Sequence, residues 1–273
     1  MMRVRNESEF LAPAVASIVD LVDEIVLVDN RSDDATPRLL EQLRRAHAGK
    51  VRTFVYPHAI RRIGRENWES ATDPAQRDSP ALSATYFNWC KARCTRAYVL
   101  KWDGDMIATD LFRDKVREWR ESDLEVVFCR GANVHADREH LTAAISGDRE
   151  AMLARLSVPG LPRWATFMTR DSPEARIFPT RDSRFVSDRL WTQRIATPWI
   201  DANPRRARVR EADGVDYLHM KLCKRDPFSN YSEELARELA SNVTVGPPLE
   251  PEHRALLDRV GIGPRAATAS SPA

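Results

Sequence analysis

Short apolar runs alternate with segments of helical period through the first hundred or so residues, and few architectures accept that alternation. Met1 to Val4 reads as a short first strand that ends in Arg5-Asn6-Glu7. Behind it, Glu7 to Val22 carries Leu11, Val15, Ile18, Val19 and Val22 at helical spacing after a possible Ser8 cap. Glu24-Ile25-Val26-Leu27-Val28-Asp29 then reads as a buried strand, Asp34-Ala35-Thr36-Pro37 opens a helix to about Ala48, and Val51 to Tyr56 is a further strand. Ala81 to Cys94 returns to helix and feeds an apolar strand from Tyr98 to Trp102. The expected fold is α/β, a mostly parallel sheet sandwiched between helices.

Beyond that strand, Asp110 to Glu121 reads as a helix capped by Asp110, and Leu124 to Cys129 as another strand. Val215 to Lys221 is a short closing strand, with one or two helices after Ser232 and Glu250. Two stretches lack a period. His58 to Pro80 is polar and rich in Arg and Asp, which predicts a mobile loop over the sheet edge, either one that closes on a bound ligand or a permanently solvated excursion. Gly131 to Arg210 is irregular and rich in Trp, Pro and Arg, as substrate-specific structure often is.

The chemistry concentrates where the Tyr98 to Trp102 strand ends, in Asp103-Gly104-Asp105. Open α/β sheets bind ligands at the C-terminal ends of their strands. Two carboxylates one residue apart repel each other unless a hard cation such as Mg²⁺ or Mn²⁺ shares their charge, and that cation can hold a diphosphate. A solvated Asp-Gly turn is the plain alternative. An aspartyl-phosphate nucleophile also uses Asp-x-Asp after an apolar strand, but there the motif opens its domain and Thr or Val stands where this chain has Ile107.

Charge narrows the partners. With 42 basic and 40 acidic side chains the net charge is +2, so neither nucleic acid nor an anionic membrane is expected as a partner. No apolar stretch approaches the roughly 20 residues of a membrane span, and no signal peptide opens the chain, so a cytoplasmic protein is expected. Cys90, Cys94, Cys129 and Cys223 lack the spacing of a structural zinc site and read as free thiols.

A second acidic turn, Asp29-Asn30-Arg31-Ser32-Asp33-Asp34-Ala35-Thr36, also leaves the C-terminal end of a strand. If the two strands run parallel as neighbours, Asp29, Asp103 and Arg5-Asn6-Glu7 converge on one rim, an arrangement suited to a nucleotide. On these residues the chain resembles glycosyltransferase family 2, enzymes of GT-A (Rossmann-like) fold that transfer sugars from nucleotide donors. Arg5-Asn6-Glu7, the stretch from Glu24 to Thr36 that looks like the family's "deivvvDngStDgT" turn, and Trp102-Asp103-Gly104-Asp105 as its Asp-x-Asp element carry the likeness.

That resemblance implies a nucleotide-sugar donor, with UDP favoured and GDP or dTDP as alternatives, and a carbohydrate or other hydroxyl-bearing acceptor. It implies a divalent metal held by Asp103, Asp105 and His219, and a donor site of Arg5, Asn6, Glu7, Asp29, Arg31, Lys101, Asp103 and Lys221. The Arg often found before the Asp-x-Asp helix is Phe87 here, so Arg61, Arg62, Arg65, Lys101 or Lys221 would have to take its phosphate. An inverting transfer needs a carboxylate base, for which Asp182 and Asp188 stand nearest the expected place after Arg176-Ile177-Phe178. Trp164, Trp191 and Trp199 would either stack on sugar or pack a core.

The expected layout is a GT-A domain over 1–245, with a donor half to about 130 and an acceptor half over about 131–220. A helical segment over 246–263 and a disordered tail over 264–273 complete it. Two other functions stay open: a sugar-phosphate nucleotidyltransferase, whose opening Gly-rich loop this chain lacks, and a transferase-like domain that binds nucleotide without turnover.

Overall fold

The computed structural model describes residues 1–62, 65–121, 126–135, 167–170, 174–186, 194–196, 215–224, 232–233 and 251–259. Trp164, Asp188, Trp191, Trp199 and the tail from 264 lie outside them. The expected alternation is present: β1 (Met2–Val4), α1 (Leu11–Ile18), β2 (Ile25–Asp29), α2 (Thr36–Ala46) and β3 (Val51–Val55) follow one another. After α3 (Arg65–Thr72) and α4 (Ser83–Lys91) come β4 (Tyr98–Leu100), β5 (Trp102–Asp103), β6 (Met106–Ala108), α5 (Asp110–Arg120), β7 (Val127–Cys129) and β8 (Gly131–His135). The later strands are β9 (Phe167–Arg170), β10 (Glu174–Pro179), β11 (Arg184–Val186), β12 (Arg194–Ala196) and β13 (Tyr217–His219). A 3-10 turn at Lys221–Cys223 and the helix α6 (Pro251–Arg259) complete the described elements.

Four strands pair in parallel in the order β3-β2-β1-β5. Every residue of β2 is buried, and its pleat sends alternate side chains into two cores. Ile25 and Leu27 pack with Leu11, Val15 and Ile18 of α1 and with Leu40 and Leu43 of α2. Val26 and Val28 pack on the other face with Tyr86, Phe87 and Cys90 of α4. A strand covered on both faces reads as one unbroken apolar run, the pattern of a parallel sheet between helices.

Several boundaries differ from expectation. The run from Tyr98 to Trp102 is not one strand: β4 joins β10 antiparallel, whereas β5 joins β1 parallel, and the chain crosses between sheets at Lys101. There the Lys101 amide donates to the Arg176 carbonyl at 2.7 Å and the Trp102 amide to that of Met1 at 3.0 Å. An apolar run carries no record of which sheet each residue joins. The first helix is α1, shorter than the periodic stretch, with no side-chain cap; the Ser8 amide donates to Asp34 at 3.2 Å instead. The cap of α5 is Thr109, whose hydroxyl accepts from the Phe112 amide, and Asp110 falls in the first turn.

The stretch from His58 to Pro80, expected as a mobile loop, contains α3 and is pinned at both ends. The Arg61 amide donates to the Ala81 carbonyl at 2.9 Å, and the Tyr56 hydroxyl to that of Pro80 at 2.6 Å. Among its described side chains it turns Asn67 and Ser70 inward, polar residues that give no apolar period to read. All four cysteines are free thiols.

The remaining sheet places the acids. β13 lies between β6, antiparallel, and β8, parallel, with Tyr217 facing Gly131 and His219 facing Met106. Gly131 is required at that crossing: a Cβ there would stand 2.2 Å from a ring carbon of Tyr217. Gly131→Ala is therefore expected to destabilise the fold by about 1–3 kcal/mol through overpacking. A thermal melt unchanged from the parent protein would contradict this packing.

Candidate active site

Register brings the acids together. In the parallel sheet Val4 faces Asp29 on one side, and its neighbour Arg3 faces Asp103 on the other, so Asp29 and Asp103 end strands on the same rim with β1 between them. Turns leave the ends of β1, β2 and β5, and side chains lace the first two together. Asp29 accepts from the Ser32 hydroxyl at 2.5 Å and from its amide at 3.1 Å, while that hydroxyl accepts from the Asn6 amide at 2.9 Å. The Asp33 amide donates to Asn6 Oδ1 at 3.0 Å, and the Glu7 amide to Thr36 Oγ1 at 2.8 Å.

Asn6 and Arg31, at the crests of these turns, have φ of 56° and 54°. Asn tolerates the left-handed region, but an Arg there costs energy that its surroundings must impose. Arg31 stands where the quoted turn pattern carries Gly, and its side chain is exposed, as is that of Arg5.

Asp103 is clamped. Arg3 reaches it from β1 through Nη2, and Arg176 Nη1 donates to its Oδ2 at 3.1 Å. Burial alone would raise the Asp103 carboxyl, but the guanidinium groups of Arg3 and Arg176 outweigh it and hold the group well below the usual carboxylate range. Arg176 gets there because the β10 register shifts between Ala175 and Ile177, and a bulge re-aims its side chain. Nearly inaccessible itself, it also donates to the Tyr217 hydroxyl at 2.9 Å and pairs with Glu174 at 3.0 Å. Lys101 turns to Glu174 at 3.1 Å rather than outward, and with Arg176 it overcomes burial to bring the Glu174 carboxyl down to about 2.

Asp105 forms a second cluster. Because β6 pairs with β13, Asp105 comes beside His219, with Oδ1 3.3 Å from Nε2, and the Met220 amide donates to the Asp105 carbonyl at 2.8 Å. The 3-10 turn then swings the chain back so that Lys224 Nζ lies 2.5 Å from Asp105 Oδ2 and 2.6 Å from Glu7 Oε1. Asp105 is pulled well down against its burial by Lys224 and His219. Glu7 is pushed up to about 8 by burial, Lys224 notwithstanding, and its Oε2 is buried with no hydrogen-bond partner among the described residues. Gly104 lets this turn close, since a Cβ there would come within 3.0 Å of the Glu7 side chain.

Of the metal residues expected from sequence, Asp105 and His219 meet, while Asp103 is committed to its two arginines. A divalent ion on Asp105 would compete with the ammonium already touching Asp105 and Glu7, so the donors as arranged do not fit one. Lys221 is half-buried on the 3-10 turn. Asp182 is exposed beyond Pro179, which faces Tyr98 at the end of β10 away from the rim. Arg3, Glu174, Arg176 and Lys224 were not among the expected site residues. Nothing local in the sequence marks Lys224, which follows the expected His219 by five positions.

Residues 1–66 match the family described as glycosyl transferase family 2. Solved structures similar to the chain include S. aureus TarS 1-349, at 12% identity and a TM-score of 0.39, covering 81% of this chain and 59% of that one. The same protein in complex with UDP-GlcNAc gives 12% identity and a TM-score of 0.43, covering 96% of this chain and 64% of that one. The chain thus spans less than two thirds of the length of these TarS structures. No curated protein matches it.

Two outcomes are expected from this geometry. Arg31→Gly relieves the left-handed strain, so its melting temperature should equal or exceed that of the parent protein, whereas Arg31→Val should lose about 1–3 kcal/mol. Equal stability of the two variants would contradict the strained turn. Asp103, Asp105 and Glu174 bind protons less readily folded than unfolded, so the stability they contribute is complete above about pH 4.5 and is lost as pH falls toward 2. Melts at pH 6, 4 and 3 should show the steepest fall below pH 4.5, and a flat profile would contradict the clamped carboxylates.

Proposed function

We propose that this chain, whose residues 1–66 match the glycosyl transferase family 2 pattern, moves a sugar from a nucleoside diphosphate donor to an acceptor hydroxyl. The observation that carries the reading is the convergence of Asp29 and Asp103 on one rim of the parallel sheet, with Asp105 on the turn that follows, where open α/β sheets receive nucleotides. Asp29, its Oδ1 held by Ser32, is the acceptor for the nucleoside. The diphosphate lies toward Asp103 and Asp105. UDP is the first nucleotide of this reading, ahead of GDP and dTDP, and a cytoplasmic location belongs to it; among the described residues no helix is long and apolar enough to cross a membrane.

The transfer we propose inverts the sugar's configuration. The acceptor oxygen bonds to the anomeric carbon as that carbon's bond to the diphosphate oxygen breaks, the electron pair leaving with the diphosphate and the acceptor proton passing to a carboxylate. For that base we favour Asp188 over Asp182, because Asp182 is exposed past the far end of β10. Fixed cations at the rim then offset the charge that develops on the leaving diphosphate.

Calorimetry with uridine and with UDP tests the donor site. Asp29→Ala should weaken both by about 1–3 kcal/mol, the cost of a lost buried hydrogen bond. If uridine binding is unchanged, Asp29 does not read the nucleoside. Asp188→Asn should lower turnover of a UDP-sugar by about 10²-fold or more while leaving UDP affinity intact. Tight UDP binding by the parent protein with neither transfer nor donor hydrolysis would instead favour a binding domain without turnover.

A further inference from the structure

The acids of the rim already have their cations. Four carboxylates, Glu7, Asp103, Asp105 and Glu174, face four fixed positive side chains, Arg3, Lys101, Arg176 and Lys224. Each of the four acids touches at least one of these cations. The cluster therefore lacks the surplus negative charge that would draw in a divalent ion. Lys224 lies 2.5 Å from Asp105 and 2.6 Å from Glu7.

The position of Lys224 follows from how the chain folds there. β13 delivers His219 beside Asp105, the Met220 amide closes on the Asp105 carbonyl, and the 3-10 turn reverses the chain within three residues. Its ammonium carries three donors in a compact point charge on a flexible stem. Among the described residues, Asp105 and Glu7 occupy two of them, which leaves one for a phosphate oxygen. The side chain is 14% exposed, so it is held at the rim without being sealed under it.

We infer that Lys224 is the resident cation of this site, held between Asp105 and Glu7 where a divalent metal would otherwise sit, and that it receives the donor's diphosphate without a metal. The inference rests on the nucleotide-sugar reading above and goes past it in naming the group that meets the diphosphate. Asp105 then serves to aim an ammonium rather than to ligate an ion, and Glu7 holds the second side of it. His219 flanks Asp105 and fixes the orientation of the carboxylate.

Calorimetric titration of the full chain with UDP, GDP and dTDP, in EDTA and in Mn²⁺, tests this. The parent protein should bind its preferred nucleotide with the same affinity in both. Lys224→Met should weaken that binding about 10- to 100-fold in EDTA, the loss of a charge-assisted hydrogen bond, and Mn²⁺ should restore it. With the ammonium gone, Asp105, Glu7 and His219 become an open donor set, so Mn²⁺ electron paramagnetic resonance should report bound ion in the variant and free ion in the parent. A parent protein that needs Mn²⁺ to bind UDP would overturn the role of Lys224 and leave the donor reading standing. Equal affinities of parent and Lys224→Met in EDTA would overturn it as well. Absence of binding by any of the three nucleotides in either condition would overturn the nucleotide-sugar reading and this inference together. Should Lys224→Met fail to fold, the parent's comparison of EDTA with Mn²⁺ decides alone.

Discussion

The carboxylate of Asp103 is the point on which three sheets meet. It extends from β5 in the parallel sheet, accepts from Arg3 of the adjoining β1, and accepts from Arg176 of β10 in a second sheet. Arg176 in turn donates to Tyr217 of β13 in a third. Of the Asp103 and Arg176 pair it is the Arg176 guanidinium that is buried, and a buried charge must find its partners or pay the cost of desolvation, so relative placement of the sheets is tied to satisfying it. Removing one partner of such a buried pair costs about 3–5 kcal/mol, more than most single contacts in a core. The apolar layers on either face of β2 tolerate small shifts in packing. The arginine clamp does not, because hydrogen bonds fail over tenths of an ångström.

Structural and functional demands meet at the rim in the turns after β1 and β2. Ser32 bridges Asp29 to the Asn6 backbone, and Thr36 both begins α2 and accepts from the Glu7 amide. These bonds position Glu7 as well as Asp29, so the turn that holds Asp29 also holds one side of the Lys224 ammonium. Two non-glycine residues in the left-handed region are the conformational cost of that lacing. Strain kept in a turn that faces the open end of a sheet is characteristic of a site rather than of a connection.

Much of this was legible in the chain itself. The apolar run of β2, the helical period ahead of it and the turn chemistry of Asp29 to Thr36 depend on neighbours in sequence, and each appears in the fold, though the helix is confined to Leu11–Ile18. Asp29 and Asp103 shared a rim because parallel strands that end in acids place those acids together. Misreadings occurred where neighbours in space decided the outcome. Tyr98 to Trp102 is one apolar run in sequence, yet its halves found different partners, β10 for one and β1 for the other. The stretch from 58 to 80 carried no apolar period because its inward residues include the polar Asn67 and Ser70.

The sequence by itself determined the strand and helix alternation, the two acidic turns at strand ends and the match of the first 66 residues to the family 2 glycosyl transferase pattern. These follow from local propensity and pleat periodicity, which act over a few residues. Only the tertiary structure decided what the acids touch. Arg176 lies 73 residues from Asp103 and Lys224 lies 217 from Glu7, and it is a bulge in one strand and a 3-10 turn after another that aim them. A lysine five positions past a histidine looks like any surface charge until the fold lodges it between two carboxylates. Its charge then acts on the site because low-dielectric surroundings and short distances give it strength that no sequence pattern records.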